Sequence, residues 1–448
     1  MIHDRITLVV SDLHVGGGPA DPGDDHIYQT QELVRLLAEW SLTPEGQVGR
    51  LELIFNGDFL EFAQVNQSAF AHVSDSYWCT EAESVAKLET IISGHTDIFT
   101  ALARFQASGN LVTIAAGNHD VDLAWPKVQA RLCEVAGAAL RFQIGSTWLE
   151  RYGSKLQIGH GHMDDPANRF EHWAQPILLP DGGEPSLEMC PGTMFMVKFV
   201  NRLEAKYPFA DNLLPVTKLF SVLMREDKAG MASVAWLFAK LIATSSSYSL
   251  NAATPDDIGV RLLERARDDK FHRNQVADAL SGAGFLEASE TWRTGVVNTK
   301  VLQAAMLNLL GVIDDASWGY LFDAREEGLV LGGVHGEGIT LEALRKAAFE
   351  DGKTTLRITA RDRAEETGAT VVVMGHTHQP DVTTFAGVKY FNPGSWTRYL
   401  ELSKNQHVTL DDLRDESVYP YQLNYVRVEP QADGSLDAQM ICFEQSGL

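Results

Sequence analysis

Short runs of β-branched and aliphatic residues recur along the chain, each closed by Gly, Asp or Asn: ITLVV at 6–10, LELIF at 51–55, LVTIAA at 111–116, KLQIG at 155–159 and TVVVM at 370–374. Apolar runs of this length bounded by turn formers predict buried strands. Between the first two, QELVRLLAEW places Leu33, Leu36, Leu37 and Trp40 at helical spacing. A longer stripe of Val85, Leu88, Ile92, Phe99, Leu102 and Phe105 precedes the third run and stops at Gly109-Asn110. Gly and Asn there end a helix in the usual way. Strands alternating with helices predict βαβ units in a mostly parallel, helix-covered sheet.

After His162 the pattern changes. Residues 195–207, 216–224, 233–243, 259–269 and 301–313 carry apolar stripes of helical period, and strand-like runs almost vanish. The expected organisation is therefore a discontinuous catalytic domain, residues 1–164 and 361–448, around a helical insertion or cap at 165–360. VTTFAG followed by VKYFNPGSW predicts a hairpin of a second sheet, and YQLNYVRV and AQMICFE predict further strands.

Length and composition narrow the picture. A chain of 448 residues has room for a large core, and about three domains at most by size alone. The formal net charge of −23 opposes the counterion release that drives nucleic-acid binding. Cys79, Cys133, Cys190 and Cys442 show no CxxC spacing, so no zinc finger or disulfide framework is indicated. MIHDRITLVV lacks a basic leader or cleavage signal, which sets a cytoplasmic expectation. The most apolar stretch, 231–243, is too short to span a bilayer and contains Lys240.

Candidate chemistry sits at the ends of the strand runs. SDLH at 11–14, NGD at 56–58, GNHD at 117–120, HGH at 160–162 and GHTH at 375–378 each follow one. Open α/β sheets bind their ligands at the carboxyl ends of the strands. In extended backbone, side chains two apart share a side, so Asp12 with His14 can share one metal and His376 with His378 can reach the same cluster. Asp58 offers two carboxylate oxygens and is the natural bridge. Imidazole and carboxylate without thiolate suit Mn, Fe, Zn or Ni. The cluster Asp21, Asp24, Asp25 and His26, and the histidines at 72, 95 and 172, read as solvated or satisfied polar groups.

Together the five islands resemble the calcineurin-like metallophosphoesterase superfamily. The resemblance implies a four-layer αββα sandwich and a dinuclear site. The first metal would take Asp12, His14, Asp58 and His378, and the second Asp58, Asn118, His160 and His376; within HGH the family favours His160 over His162. It further implies that His119 stabilises charge or protonates the leaving oxygen, with Asp120 orienting its ring. Asn168 and Arg169, shortly after HGH, are candidate substrate contacts.

A narrower similarity, carried by SDLHVGGG, NGDFLEF, HGHMDDPANRF and NPGSW, is to the bacterial branch containing UDP-2,3-diacylglucosamine pyrophosphatases. The chain departs from that branch in carrying the histidine of GNHD where arginine is common, HGH where HGD is usual, and a larger insertion.

The expectation is a metal-dependent phosphoric ester hydrolase with two divalent transition-metal ions, manganese first among them. Metal-activated hydroxide would attack a phosphomonoester, phosphodiester or pyrophosphate, a lipid-linked substrate among the options. A scaffold on the same fold and a DNA or RNA phosphodiesterase are the competing classes. The cap, through Phe195, Phe199, Leu219, Phe220, Trp236, Leu237 and Phe238, is expected to select the substrate, while the oligomeric state stays open.

Overall fold

A computed structural model describes residues 5–18, 27–65, 79–165, 168–179 and 183–190, scattered positions between 192 and 227, 330–332, 338–340, 352–401, 408–415, 418–419 and 422–443. Its elements, in chain order, begin with β1 (Ile6–Val10), α1 (Ile27–Leu42) and β2 (Leu51–Asn56). Next come α2 (Glu81–Gly94), α3 (Thr96–Ala107), β3 (Leu111–Ala115), α4 (Pro126–Ala136), β4 (Arg141–Gln143), β5 (Leu149–Arg151) and β6 (Leu156–Gly159). The chain resumes with α5 (Gly352–Thr367), β7 (Val371–Met374), β8 (Asp381–Phe385), β9 (Val388–Asn392), β10 (Asn424–Pro430) and β11 (Leu436–Cys442).

The strand runs divide between two sheets. One has the order β11-β10-β1-β2-β3-β4, parallel from β1 to β4 with β10 antiparallel to β1. The other has the order β8-β9-β7-β6-β5, with β7 parallel to both β6 and β9. The C-terminal pair thus closes the first sheet, and the hairpin Asp381–Asn392 belongs to the second.

Alternation within each strand explains the layering. Val9, Ile54, Ile158, Val371, Val373 and Val426 point between the sheets and pack on one another. Their neighbours Leu8, Val10, Leu53 and Phe55 point the other way, onto Leu33, Leu88, Phe99, Leu102 and Leu132 of α1 to α4. On the far side, Val372 and Met374 meet Leu356, Ala360 and Ala364 of α5. Successive strand side chains face opposite sides, and both sides are covered, so the strands read as continuous apolar runs. The result is the expected αββα sandwich.

Two expectations are modified. The long stripe from Val85 to Phe105 is two helices, because backbone at His95 (φ −133°, ψ 40°) breaks the α-helical path between them. Thr80 and Glu83 start the first with a reciprocal capping box. Helix α5 runs through the boundary expected at 360–361 and packs on the second sheet, so it belongs with the layers of the sandwich. Within the expected insertion, the stripe at 216–224 is helical over Lys218–Glu226, with Leu219 buried. Short pairings join Ile177–Leu178 to Ser186–Leu187, Leu213–Leu214 to Leu400–Glu401, and Val330–Gly332 to Gly338–Thr340. The stripes at 233–243, 259–269 and 301–313, and with them Trp236, Leu237 and Phe238, lie outside the described residues, as do Phe195 and Phe199.

Between the sheets, Arg151 donates from Nε and a terminal nitrogen to both oxygens of Glu52, at 2.8 and 2.6 Å. Glu52 is fully buried and also accepts from Thr113. Removing Arg151 would strand a buried carboxylate, which typically costs 3–5 kcal/mol. Arg151→Ala is therefore expected to lower the unfolding free energy by about that amount in chemical denaturation. An unchanged denaturation midpoint would show that the pair contributes nothing.

Candidate metal centre

Each of the five islands lies at a strand's carboxyl end, and the fold brings them to one place. Five of the candidate ligands, Asp12, His14, Asp58, His376 and His378, adopt left-handed backbone with φ from 47° to 71°. Non-glycine residues avoid this region, and such strain persists at sites the surrounding structure over-determines. Here the turns aim successive side chains inward.

Glycines allow the close approach. A Cβ on Gly57 would lie 2.3 Å from the His160 ring, and one on Gly117 would lie 2.1 Å from Asp58 Oδ1. The NPGSW segment ties the ends of the chain together: Trp396 N and Ser395 Oγ both donate to the Asp12 carbonyl, at 3.1 and 2.7 Å. Asn392 Nδ2 donates to the Gly375 carbonyl at 2.9 Å.

The donor atoms fall into overlapping groups: Asp12, His14 and His378; His14, Asp58 and His119; and Asp58, His160 and His376. All ligand atoms within a group are within 4.8 Å of one another. His378 Nε2 lies 3.1 Å from His14 Nε2 and 3.5 Å from Asp12 Oδ1. Asp58 Oδ2 lies 3.1 Å from His160 Nε2 and 3.9 Å from His14 Nε2. Asp58 is thus the residue facing both halves of the cluster.

Several of these atoms have no hydrogen-bond partner although they are buried: Asn118 Oδ1, His160 Nε2 and His376 Nδ1. Their other polar atoms are engaged. His160 Nδ1 donates to the Asn56 carbonyl at 2.8 Å, so the unprotonated lone pair of the neutral ring is on Nε2. His376 Nε2 pairs with Asp165 Oδ2 at 3.0 Å, and His14 Nδ1 with Glu61 Oε2 at 2.6 Å. Buried polar atoms left bare are costly, and lone pairs converging on one another repel. A divalent cation removes both penalties, and a histidine held through its second nitrogen by a carboxylate or carbonyl is the usual metal-site arrangement. The donor set therefore fits divalent transition metals.

Glu61 is the residue that motif reading missed. Its carboxylate pairs with Nδ1 of His14 at 2.6 Å and with Nδ1 of His119 at 2.8 Å. Burial alone would raise this carboxyl, but His119 and His14 pull it down to about 2. Burial likewise opposes charge on His119, yet Glu61 and Asp58 raise that imidazole to about 10. The only sequence signal was an acidic residue three positions after Asp58.

Asp120 does something other than expected. It spends Oδ1 on Gly117 N at 2.6 Å and Oδ2 on Phe59 N at 2.8 Å, so it braces the NGD and GNHD turns against each other. Orientation of the His119 ring falls to Glu61.

Within HGH, His160 joins a donor group and His162 joins none among the described residues. His162 packs edge-on against Trp173, and burial followed by His160 and His376 holds its imidazole well below the usual range. Asn168 contacts Asn118 and Asp165, at 3.3 and 2.7 Å. Arg169 is exposed, and its Nε donates to the Met163 carbonyl at 2.8 Å. His95 meets Thr30 Oγ1 at 2.7 Å and His172 lies 3.4 Å from Glu188, both away from the donor groups. The Asp21 to His26 cluster and His72 lie outside the described residues.

Residues 306–415, which contain GHTH and NPGSW, match the family model described as calcineurin-like phosphoesterase superfamily domain. These residues, about a quarter of the chain, are thus similar to a calcineurin-like phosphoesterase domain. Among solved structures, the chain aligns with the crystal structure of wild type Vps29 complexed with Zn2+ from Entamoeba histolytica, at 19% identity and a TM-score of 0.10. That alignment covers 20% of this chain and 47% of the other. A search of curated proteins gave no match. Among the described residues no helix is long and apolar enough to cross a membrane.

Proposed function

We propose that the protein is a dinuclear metal-dependent phosphoester hydrolase. The observation that carries this reading is the donor group of Asp58, His160 and His376, together with the bare, buried atoms Asn118 Oδ1, His160 Nε2 and His376 Nδ1. Asp12, His14, Asp58 and His378 would hold one cation, and Asp58, Asn118, His160 and His376 the other, with manganese the first choice and iron, zinc or nickel suited to the same donors. When bound, such a pair supplies an acidified water as nucleophile and positive charge for the phosphoryl oxygens.

The chain's own residues do the rest. Glu61 and the Asn56 carbonyl fix the tautomers of His14 and His160, so their free nitrogens face the cluster without further rearrangement. His119, with Nδ1 on Glu61, keeps Nε2 to give a proton to the departing oxygen. Arg169, exposed and donating from Nε to the Met163 carbonyl, is the candidate contact for a substrate phosphate. The four cysteines are free, which supports a cytoplasmic setting. The substrate is a phosphomonoester, phosphodiester or pyrophosphate, and the similarity to pyrophosphatases of lipid precursors makes a lipid-linked one a natural inclusion.

The test is metal analysis followed by a panel of these three ester classes, with DNA and RNA included. We expect about two transition-metal ions per chain and hydrolysis that is lost on chelation and restored by manganese. Metal-loaded protein that cleaves nothing would favour a scaffold, and cleavage confined to nucleic acid would favour the nuclease reading.

A further inference from the structure

We infer that Asp165 and Asn168 are positioning residues that set the affinity of the second cation site independently of the first. The inference rests on the ligand assignment proposed above. Asp165 Oδ2 lies 3.0 Å from His376 Nε2 and accepts from Asn168 Nδ2 at 2.7 Å. Asn168 Oδ1 in turn accepts from Asn118 Nδ2 at 3.3 Å. Two candidate ligands separated by more than 250 positions, Asn118 and His376, are thereby held by one short stretch of chain.

Each link decides which atom of a ligand faces the cluster. An amide's oxygen and nitrogen are nearly equal in size, so Asn118 could present either. Drawing Nδ2 onto Asn168 leaves Oδ1, bare and buried, as the atom to offer a cation. An imidazole could carry its proton on either nitrogen. Nε2 of His376 donates to the Asp165 carboxylate, which puts the lone pair on the bare Nδ1. Thr193 adds a third hold, its Oγ1 donating to the Asn118 carbonyl at 3.2 Å.

The first site is supported from elsewhere. Glu61 holds His14, and Ser395 with Trp396 holds the Asp12 backbone. The two sites share Asp58, and the His376 backbone N donates to both Asp12 oxygens at 3.1 and 3.0 Å, but the holds on the His14 and His376 rings are separate, so a change at Asp165 or Asn168, which acts on side chains, should reach only one of them. Both residues, with Thr193, come from the first part of the expected insertion, directly after HGH. That segment therefore completes a metal site built by the strand ends of the two sheets, and Asn168 acts on the metal through Asn118, in place of the substrate contact expected from sequence.

The experiment uses the full-length chain, stripped with chelator and titrated with Mn2+, followed by calorimetry and electron paramagnetic resonance. Asp165→Ala and Asn168→Ala are expected to weaken one of the two binding events by about 10- to 100-fold, the usual cost of a lost outer partner, and to leave the other at wild-type affinity. The spin-coupled pair should give way to a mononuclear signal at intermediate Mn2+. Asp165→Asn, which keeps an acceptor for His376, should lose less than Asp165→Ala. Melting of the stripped variants checks that the fold is intact. Wild-type titration of both variants, with a raised KM for Asn168→Ala, would overturn the inference and return Asn168 to the substrate. Equal weakening of both events would overturn it as well. A wild-type chain that binds fewer than two ions would instead overturn the ligand assignment, and the inference with it.

Discussion

Asp58→Asn is expected to empty both halves of the metal centre and abolish hydrolysis. The side chain stands between the halves, with Oδ2 3.1 Å from His160 Nε2 and 3.9 Å from His14 Nε2. Its Oδ1 accepts from His119 N at 2.9 Å. Asparagine has the same shape and can keep that backbone contact, so the fold should survive. The shared negative charge is lost, and an N–H donor can be placed where a lone pair is needed. Metal content should fall from about two ions per chain toward none by elemental analysis, with turnover falling alongside it. Near-wild-type metal content and turnover would show that Asp58 does not bridge.

His119→Ala should separate chemistry from metal binding. The ring lies in a donor group with His14 and Asp58, so position alone does not distinguish a ligand from a proton donor. Its hydrogen bonding does not either, because Glu61 holds Nδ1 of His119 as it holds Nδ1 of His14, so the metal content of the variant is what separates the two roles. Losing the ring should leave the other donors, and hence the metal content, in place. Turnover should slow by about 10²- to 10⁴-fold, the range for a missing acid–base group. Loss of a metal ion from this variant would make His119 a ligand and reassign the proton transfer.

Much of this centre is legible in the sequence because its parts are local. A β-branched run followed by Gly, Asp or His marks a strand and the turn at its end, and the residue types there announce the donors. The motif glycines are equally local signals, since Gly57 and Gly117 stand where any Cβ would collide with His160 or Asp58. The capping box at Thr80 and the hairpin at Asp381–Asn392 belong to the same short-range class.

What the sequence left open depended on contacts between distant segments. Similar apolar runs gave no means of dividing β1 to β3 from β6 and β7, because a strand buried on both faces carries the same pattern in either sheet. The break at His95 was hidden for a related reason: the apolar stripe continues through it in both helices. Glu61, Asp120 and Asn168 all looked like ordinary polar residues near a motif. Their roles follow from which atoms they meet across 50 or more positions: His119 for Glu61, Phe59 N for Asp120, and Asn118 for Asn168. The sequence by itself determined which donors exist and the strand ends on which they sit, because these follow from composition and short-range backbone preference. Only the tertiary structure decided which carboxylate steers which imidazole, because a hydrogen bond is fixed by the geometry of two side chains that the folded layers bring together.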